Sequence, residues 1–408
     1  MTAVIALRKD KDMIDKGFFP EIHGNFGFGC MRFPVRSDGS GQEGLNMRFP
    51  DKANEIDYAE LTRMVDAFMD AGFNYFDTAH GYHDGKSEIA LGECLVKRYD
   101  RNRYMLTNKL STHFFKTNEE ILPFFDQQLE WCGVDYFDFY LMHAQDQNIY
   151  RKFMECGAYE TCHALKKQGK IRHFGISFHD KADVLEMILR EHPEIEVVQI
   201  QLNYVDFDDA TVESRKVYEV CEKYGKPVIV MEPVKGGSLV NLPEEADRIF
   251  RDLNGGSNAS YALRFAAGLP NIAVVLSGMS NMDQMADNIG AMRDFRPLNE
   301  NEMGAVNKVC GIFRSMKLIP CTSCRYCVND NECPKGIRIP DMFSAYNAHE
   351  AFHNWNTGYY YHNILTGNGH GKASECIKCG KCEKICPQHI QIRKYLGEVA
   401  AVFEKKPE

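Results

Sequence analysis

The chain contains the stretch Asn74-Tyr-Phe-Asp77-Thr-Ala-His-Gly-Tyr82, in which a short apolar segment ends in polar side chains. Two later segments have the same form: Lys109 follows Leu106-Thr-Asn108, and His143 follows Tyr140-Leu-Met142. Short apolar segments of this kind are typical of strands that are covered on both faces of a parallel sheet. The stretch therefore predicts a buried strand that presents polar groups at its carboxyl end.

The same alternation of a strand pattern with a helix pattern recurs as far as Pro297. In Tyr58–Ala71, for example, Leu61, Met64, Val65 and Phe68 fall at helical spacing before Gly72. The predicted strand cores are Gly24–Gly29, Asn74–Asp77, Tyr104–Asn108, Asp138–Met142, His173–Ile176, Glu196–Ile200, Pro227–Met231 and Ile272–Ser277. Eight parallel βα units in a segment of this length favour an α/β fold closed as a (β/α)8 TIM barrel rather than an open sheet.

The pattern breaks at Pro297-Leu-Asn-Glu-Asn301, and a cysteine-rich tail begins after Pro320. We therefore predict a barrel domain over residues 1–297, a connecting helix or linker over residues 298–318, and a small domain over residues 319–408.

Composition excludes several classes of protein. The 408 residues are 44% hydrophobic and 26% charged, as in an ordinary globular protein, and the net charge of −9 argues against nucleic acid or an anionic membrane surface as partner. The sequence contains no apolar run of about 18 residues, so no membrane-spanning helix is predicted. The apolar stretch within Met1–Asp12 is too short for a signal peptide, and charged residues follow it. We therefore expect a cytoplasmic protein.

Eight of the 15 cysteines form two runs in the tail. Three cysteines at two-residue spacing can bind three iron atoms of one cubane, and in two-cluster ferredoxins the fourth cysteine of each run binds the other cluster. This pattern predicts two [4Fe–4S] clusters. One would be held by Cys321, Cys324, Cys327 and Cys386, and the other by Cys376, Cys379, Cys382 and Cys333.

Two cysteine-ligated zinc sites are the alternative, but zinc sites usually present two separated pairs of cysteines rather than triplets. The gap before Cys333 is longer than the usual three residues. A helix-like segment, Ile339–Phe352, separates the two runs, so the tail resembles the helical ferredoxin domains rather than the compact bacterial type.

The polar residues at the barrel strand ends predict a catalytic site. Side chains at the carboxyl ends of barrel strands face a common site, so Asp77, Tyr82, Lys109 and His143 are expected to converge. An ammonium group beside a phenol favours the phenolate, and a carboxylate can hold the ammonium in place. Tyr82 could then protonate a carbonyl oxygen as hydride arrives at the carbon, or act as base for an alcohol, while His143 orients the carbonyl.

Residues 18–297 resemble the aldo/keto reductases, in the branch that carries a ferredoxin-like C-terminal domain. The motifs that carry the resemblance are Phe76-Asp77-Thr-Ala-His-Gly-Tyr82, Asp84-Gly-Lys-Ser87-Glu88, Asp135-Tyr-Phe-Asp138, Leu141-Met-His143, Gly169-Lys170-Ile-Arg-His-Phe-Gly175-Ile-Ser177 and Met231-Glu232-Pro233. The resemblance implies an oxidoreductase that uses Asp77, Tyr82, Lys109 and His143 as its catalytic tetrad.

The resemblance also implies a site for NAD(P)H. Ser177 and Gln199 would hold the carboxamide, Met231 would lie at the nicotinamide, and the loop Gly236-Gly237-Ser238 would cover the pyrophosphate. The adenine end would contact Gly278, Ser280, Gln284 and Asn288. Gly278 to Asn281 opens a predicted helix, whose first amides attract phosphate.

Two departures from the family pattern leave more than one identity for the cofactor. Many relatives have an aromatic residue where this chain has Met231, and no basic residue for a 2′-phosphate occurs between Gly278 and Gln284. NADH, NADPH and a flavin such as FMN therefore stay as alternatives. Hydride carries two electrons whereas a [4Fe–4S] cluster normally passes one.

Three functions follow from these patterns. The first is reduction of a small-molecule carbonyl, or oxidation of an alcohol, by hydride transfer from NAD(P)H with Tyr82 as general acid or base. The second is a redox enzyme fed through its clusters by a ferredoxin-like electron donor, with or without a flavin. The third is an iron–sulfur sensor or binding protein with an idle barrel.

Overall fold

The computed structural model describes residues 18–36, 56–83, 85–209, 212–316, 318–329, 333–352, 356–366 and 369–404. Asp84 and the segment Met1–Asp12 lie outside the described residues. The chain forms two compact units. The first comprises the residues up to Val234 together with Ala259–Asn301, and the second comprises Lys235–Asn258 together with the residues from Glu302 onward.

The first unit contains a closed barrel of eight parallel strands in sequence order, in which β8 pairs with β1. The strands are β1 (Phe26–Gly29), β2 (Tyr75–Asp77), β3 (Met105–Leu110), β4 (Phe137–Gln145), β5 (Ile171–Phe178), β6 (Val197–Gln201), β7 (Val228–Met231) and β8 (Ile272–Ser277). This architecture confirms the predicted (β/α)8 barrel, and the predicted core of β8 has the same bounds as the observed strand.

The helices, in chain order through both units, are α1 (Tyr58–Asp70), α2 (Lys86–Leu91), α3 (Ile121–Cys132), α4 (Gln147–Glu155), α5 (Ala158–Lys167), α6 (Ala182–Glu191), α7 (Ser214–Lys223), α8 (Glu244–Leu253), α9 (Asn258–Ala267), α10 (Met282–Arg293), α11 (Glu300–Ser315), α12 (Tyr326–Asn329), α13 (Ile339–Phe352), α14 (Asn356–Tyr360), α15 (Lys381–Lys384) and α16 (Ile392–Phe403). None of the helices in these described ranges is both long enough and apolar enough to cross a membrane.

The first helix shows how local sequence fixes an element. The Asp57 carboxylate accepts a hydrogen bond from the Glu60 amide at 3.0 Å and so satisfies one of the donors exposed at the start of α1. The apolar positions at helical spacing are the buried ones, and Gly72 follows with φ of 91°. α1 therefore begins and ends where capping and periodicity predict.

The interior of the barrel is apolar at one end. A cluster of buried side chains from six strands fills it, and Phe19 packs on that cluster with its ring centroid 4.9 Å from that of Phe139. Position 175 in β5 has no room for a side chain, because a Cβ on Gly175 would lie 2.5 Å from the carbonyl oxygen of Val197. Asp77, Lys109 and His143 lie toward the carboxyl ends of β2, β3 and β4.

The second unit is helical. α13 packs against α16, with the ring centroids of Phe343 and Tyr395 6.2 Å apart and those of His349 and Phe403 5.5 Å apart. The observed α13 has the bounds of the segment predicted between the two cysteine runs. This packing confirms a small helical domain after the barrel.

Candidate active site and cluster-binding cysteines

Four polar residues converge at the carboxyl ends of β2, β3 and β4. Asp77 ends β2, Tyr82 lies in the turn that follows it, Lys109 lies in β3 and His143 lies in β4. The Lys109 ammonium nitrogen is 2.6 Å from Asp77 Oδ1 and 3.3 Å from the Tyr82 hydroxyl. Lys109 is 1% exposed and Asp77 3% exposed. The structure thus places a buried ammonium between a carboxylate and a phenol.

The ammonium of Lys109 has a further partner, the carbonyl oxygen of Thr78 at 2.8 Å. A lysine ammonium has three N–H donors, and Asp77, Thr78 and Tyr82 together account for all of them. A buried charge is tolerated when it is paired and fully hydrogen-bonded. The lysine is therefore held in one position beside the phenol.

His143 lies across from the phenol, with its ring centroid 6.3 Å from that of Tyr82. Burial, reinforced by the positive charge of Lys109, holds the pKa of the His143 imidazole well below its usual value. The ring is therefore neutral at pH 7, with one nitrogen that donates and one that accepts. His143 Nδ1 is 2.5 Å from the hydroxyl oxygen of Ser111.

Ser111 is a contact that the sequence analysis missed. Ser111 is 4% exposed and comes two residues after Lys109. Residues two apart in extended chain face the same side, so this spacing was the available signal. The signal is weak, because a serine in such a position is usually structural.

A second missed group is a buried polar network beside Lys109. The Glu88 carboxylate, fully buried, accepts hydrogen bonds from Asn108 at 2.7 Å and Gln128 at 3.1 Å and lies 2.8 Å from His80 Nδ1. Gln128 also donates to the backbone carbonyl of Lys109 at 3.1 Å. This network fixes the backbone from which the lysine extends.

The residues predicted at the nicotinamide lie on neighbouring strands. Ser177 of β5 and Gln199 of β6 are paired in register, and both are buried. The Gln199 amide donates to Asp77 Oδ2 at 2.9 Å, and the Ser177 hydroxyl accepts from the Ala144 amide at 2.7 Å. Met231 ends β7. Gln199 is therefore joined directly to the tetrad.

The residues predicted at the adenine end form the entry to α10. Asn281 caps this helix by accepting from the Gln284 amide at 2.9 Å, and Gln284 Oε1 accepts from the Ser280 amide at 2.8 Å. Asn288 donates to the Ser277 hydroxyl at 3.0 Å. Gly278 begins this segment, directly after β8.

Arg32 lies beside this segment, although it is distant in sequence. The carbonyl of Arg32 accepts from the Ser280 hydroxyl at 2.8 Å, and a Cβ on Gly278 would lie 3.2 Å from the Arg32 side chain. The guanidinium is 4.0 Å from the Glu232 carboxylate. A basic side chain thus reaches the segment from the loop after β1, which sequence order alone does not reveal.

The loop predicted to cover the pyrophosphate belongs to the second unit. Lys235–Gly237 forms a 3₁₀ turn that leads into Ser238, and Gly236 and Gly237 have φ of 63° and 100°. A Cβ on Gly236 would lie 2.6 Å from the carbonyl oxygen of Thr322, which follows Cys321. Glycine is required at position 236 because the loop approaches the backbone of the first cysteine run.

Cysteines from both ends of the tail meet at one cavity. Cys321, Cys324 and Cys327 of the first run line it together with Cys386 of the second. The other lining side chains are largely apolar, including Ile339, Phe343, Ile390 and Ile392. Burial raises the pKa of the Cys327 thiol well above its usual value, and Cys324, Cys321 and Cys386 are among the neighbours that add to the shift.

The second group comprises the remaining cysteines of the two runs, of which Cys376 and Cys333 lie near Cys382. Burial, together with the neighbouring Glu383, Cys376 and Cys333, raises the pKa of the Cys382 thiol to about 11. Cys379 is the one exposed member of this group. Each group therefore draws cysteines from both runs, and the thiolates offer the soft donors that iron–sulfur clusters take.

Comparison with known families extends over both units. Residues 46–310 match the family described as the aldo/keto reductase family, and residues 320–391 match a 4Fe-4S dicluster domain. The chain belongs to the aldo/keto reductase family. It is an oxidoreductase with a C-terminal domain of the iron–sulfur type, as the sequence motifs predict.

Individual relatives of this reductase are distant. An uncharacterised oxidoreductase of Schizosaccharomyces pombe is 27% identical over 273 residues, which cover 65% of this chain and 80% of that protein. The NADH-specific methylglyoxal reductase of Escherichia coli is 23% identical over 282 residues, covering 56% of this chain and 82% of that protein.

Solved structures share the barrel. The aldo-keto reductase from Klebsiella pneumoniae in complex with NADPH is 17% identical with a TM-score of 0.53, over 70% of this chain and 90% of that one. The holo form of an aldo-keto reductase from Bacillus halodurans is 22% identical with a TM-score of 0.52, over 70% and 91%. At such identities the similarity shows the fold alone.

Proposed function

We propose that this reductase reduces a small-molecule carbonyl to an alcohol with hydride from NAD(P)H, and that Tyr82 supplies the proton. The observation that carries the proposal is the Lys109 ammonium, 2.6 Å from Asp77 and 3.3 Å from the Tyr82 hydroxyl. The bound nicotinamide would supply hydride to the carbonyl carbon. Negative charge then develops on the carbonyl oxygen, where a proton donor is required.

Each member of the tetrad has a separate task. Tyr82 transfers its proton to the carbonyl oxygen, and the adjacent ammonium of Lys109 stabilises the phenolate that results. Asp77 holds the ammonium in place and is itself held by Gln199 through its second oxygen. Neutral His143 donates a hydrogen bond from Nε2 to the carbonyl oxygen and so orients it for attack.

That task requires the proton of His143 to be on Nε2. The hydroxyl of Ser111 favours this tautomer when it donates to Nδ1, because Nδ1 must then be unprotonated. Ser111 is thus a positioning residue that acts through His143.

Replacing Ser111 with alanine is expected to lower kcat on the order of tenfold, the equivalent of about 1.4 kcal/mol, because one hydrogen bond selects the tautomer. Ser111→Thr keeps the hydroxyl and should restore the rate. The direct measurement is the pair of ¹⁵N chemical shifts of His143, assigned by difference from His143→Gln. An unchanged Nε2–H tautomer in Ser111→Ala would rule out this role.

The cofactor would lie along residues from several strand ends. We propose that Ser177, Gln199 and Met231 bind its nicotinamide end and that Gly278, Ser280, Gln284 and Asn288 bind its adenine end. The Klebsiella structure was solved with NADPH and the Escherichia coli relative is named as NADH-specific, so the proposal covers both nicotinamide cofactors. The Arg32 side chain, which lies against Gly278, would provide a positive charge for the phosphate groups.

The tail would hold two [4Fe–4S] clusters in a crossed arrangement. Cys321, Cys324, Cys327 and Cys386 would bind the first, which the cavity shared by these four cysteines supports. Cys376, Cys379, Cys382 and Cys333 would bind the second, which the neighbourhood of Cys382 supports.

Isotope transfer distinguishes direct hydride transfer from reduction through the clusters. Anaerobic enzyme is given an aldehyde such as methylglyoxal and NADPH or NADH in which deuterium replaces both hydrogens at the hydride-donating carbon. Direct transfer places deuterium on the new alcohol carbon, and mass spectrometry of the product detects it. Product formed without deuterium would contradict the proposal and favour electron supply by a separate donor, through the clusters or a flavin.

A further inference from the structure

One surface of the second unit exposes a cluster-type cysteine beside an apolar side chain and several positive charges. We call it the Cys379 surface, and it consists of Ile377, Lys378, Cys379, Lys381 and Lys384. Cys379 is the one cysteine of the 15 that is exposed. Ile377, beside it, is 56% exposed, more than any other exposed large hydrophobic residue in the described part of the chain.

The segment that contains the Cys379 surface is positively charged, whereas the protein as a whole is negatively charged. Between Lys372 and Lys394 the chain has six lysine or arginine residues and two glutamates, whereas its net charge is −9. Glu383 pairs with Arg393 at 2.6 Å, and Lys394 lies 3.8 Å from Glu398.

The three lysines of the Cys379 surface have no such partner. Within the described residues, no ion pair engages Lys378, Lys381 or Lys384, and all three side chains are exposed. They form an uncompensated positive group around Cys379.

The backbone holds Cys379 at the surface. Lys378 before it and Gly380 after it both have left-handed backbone, with φ of 57° and 77°. Left-handed backbone at a lysine costs about 1–2 kcal/mol. Other interactions of the fold must therefore outweigh this strain and hold the loop in its conformation. Cys382, the next cysteine of the run, is buried. The loop therefore turns one cysteine of the second group outward and the next one inward.

We propose that the Cys379 surface is the docking site of an acidic one-electron carrier protein of the ferredoxin or flavodoxin class. The inference rests on the proposed function, because it requires the second cluster at Cys376, Cys379, Cys382 and Cys333. Because Cys379 is exposed, a cluster bound through it would be accessible to a docked partner. A small apolar contact inside a charged rim is suited to the brief, weak encounters of redox partners.

The electron balance is simple. In the proposed step, one electron would leave the redox centre of the carrier, which is oxidised, and would pass to the second cluster, which Cys376, Cys379, Cys382 and Cys333 would hold. No bond is formed or broken and no proton moves. The carrier supplies the reducing equivalent, and its negative surface is attracted to the three lysines, which raises the rate of encounter.

Charge reversal tests the docking site. The triple variant Lys378→Glu, Lys381→Glu and Lys384→Glu is compared with a control triple, Lys97→Glu, Lys116→Glu and Lys167→Glu, at exposed lysines of the barrel unit. Both triples change the net charge by the same amount. The probe is a reduced plant-type [2Fe–2S] ferredoxin, mixed without oxygen in a stopped-flow spectrometer that follows reduction of the clusters.

The surface triple is expected to lower the second-order rate constant at low salt by roughly tenfold or more, and the control triple to leave it near the wild-type value. The wild-type rate should also fall as salt is added. Equal rates in the two triples, or binding of ferredoxin without electron transfer, would overturn the docking site. Iron and sulfide analysis separates the two proposals: wild-type protein without clusters overturns the cluster assignment, whereas loaded protein with equal rates overturns the docking site alone.

Discussion

Replacing Tyr82 with phenylalanine is expected to lower kcat for carbonyl reduction by about 10²–10⁴-fold, the usual contribution of a positioned proton donor. Phenylalanine retains the ring beside His143 and over the Lys109 ammonium, so only the hydroxyl is lost. The reaction loses its proton source while the pocket keeps its shape. Steady-state kinetics with a saturating nicotinamide cofactor measures the effect.

The control is Tyr224→Phe, which removes a hydroxyl group from a half-buried tyrosine after α7, where it donates to Glu186 at 3.4 Å. This variant should keep the wild-type kcat. Cofactor affinity should be unchanged in Tyr82→Phe, since the phenol serves the substrate. A Tyr82→Phe enzyme with full activity would remove Tyr82 from the proton transfer and leave water or another side chain as the donor.

Cys386→Ser is expected to abolish the first cluster, although Cys386 follows the other three cysteines of that cavity by more than fifty residues in the chain. Serine has nearly the same size as cysteine, but its oxygen lacks the soft thiolate character that iron–sulfur clusters require. Anaerobic iron and sulfide analysis should give one cluster per chain instead of two. Cys310→Ser, at a buried cysteine of α11 outside both runs, is the control and should retain both.

Double variants distinguish the crossed arrangement from two separate four-cysteine runs. In the crossed arrangement, Cys321→Ser with Cys386→Ser affects one cluster, so one cluster remains. Cys376→Ser with Cys386→Ser affects both, so none remains. The opposite result would show that each run binds its own cluster. The comparison is sharp because substitutions in one shared site are not additive whereas those in separate sites are.

The strands of the barrel could be located from sequence because strands buried on both faces must be apolar. The bounds were less accurate where polar residues continue a strand. β4 extends to Gln145, beyond the predicted Met142, so His143 lies within the strand rather than after it. The tetrad was found nonetheless, because strand order in a parallel barrel brings successive carboxyl ends together.

The parts of the site that could not be predicted from the sequence are those that depend on contacts between distant segments. Arg32 reaches Ser280 across 248 residues, and no local pattern marks such a contact. Glu88 occurred in a quoted motif, but its burial against His80 and Gln128 depends on how α2 and α3 pack. The grouping of Lys235–Asn258 with the cysteine-rich unit likewise depends on packing and not on composition.

The saturated hydrogen bonding of Lys109 has a consequence for the proposed reduction of aldehydes. Free amines condense with aldehydes to form imines, and a lysine at the mouth of such a pocket would be exposed to modification by its own substrate. Here all three N–H groups are directed to protein oxygens, and the side chain is 1% exposed. The positive charge can assist Tyr82, whereas the protonated nitrogen has no lone pair with which to attack an aldehyde. Under the proposed function, the geometry that supports catalysis therefore also protects Lys109 from modification by the substrate.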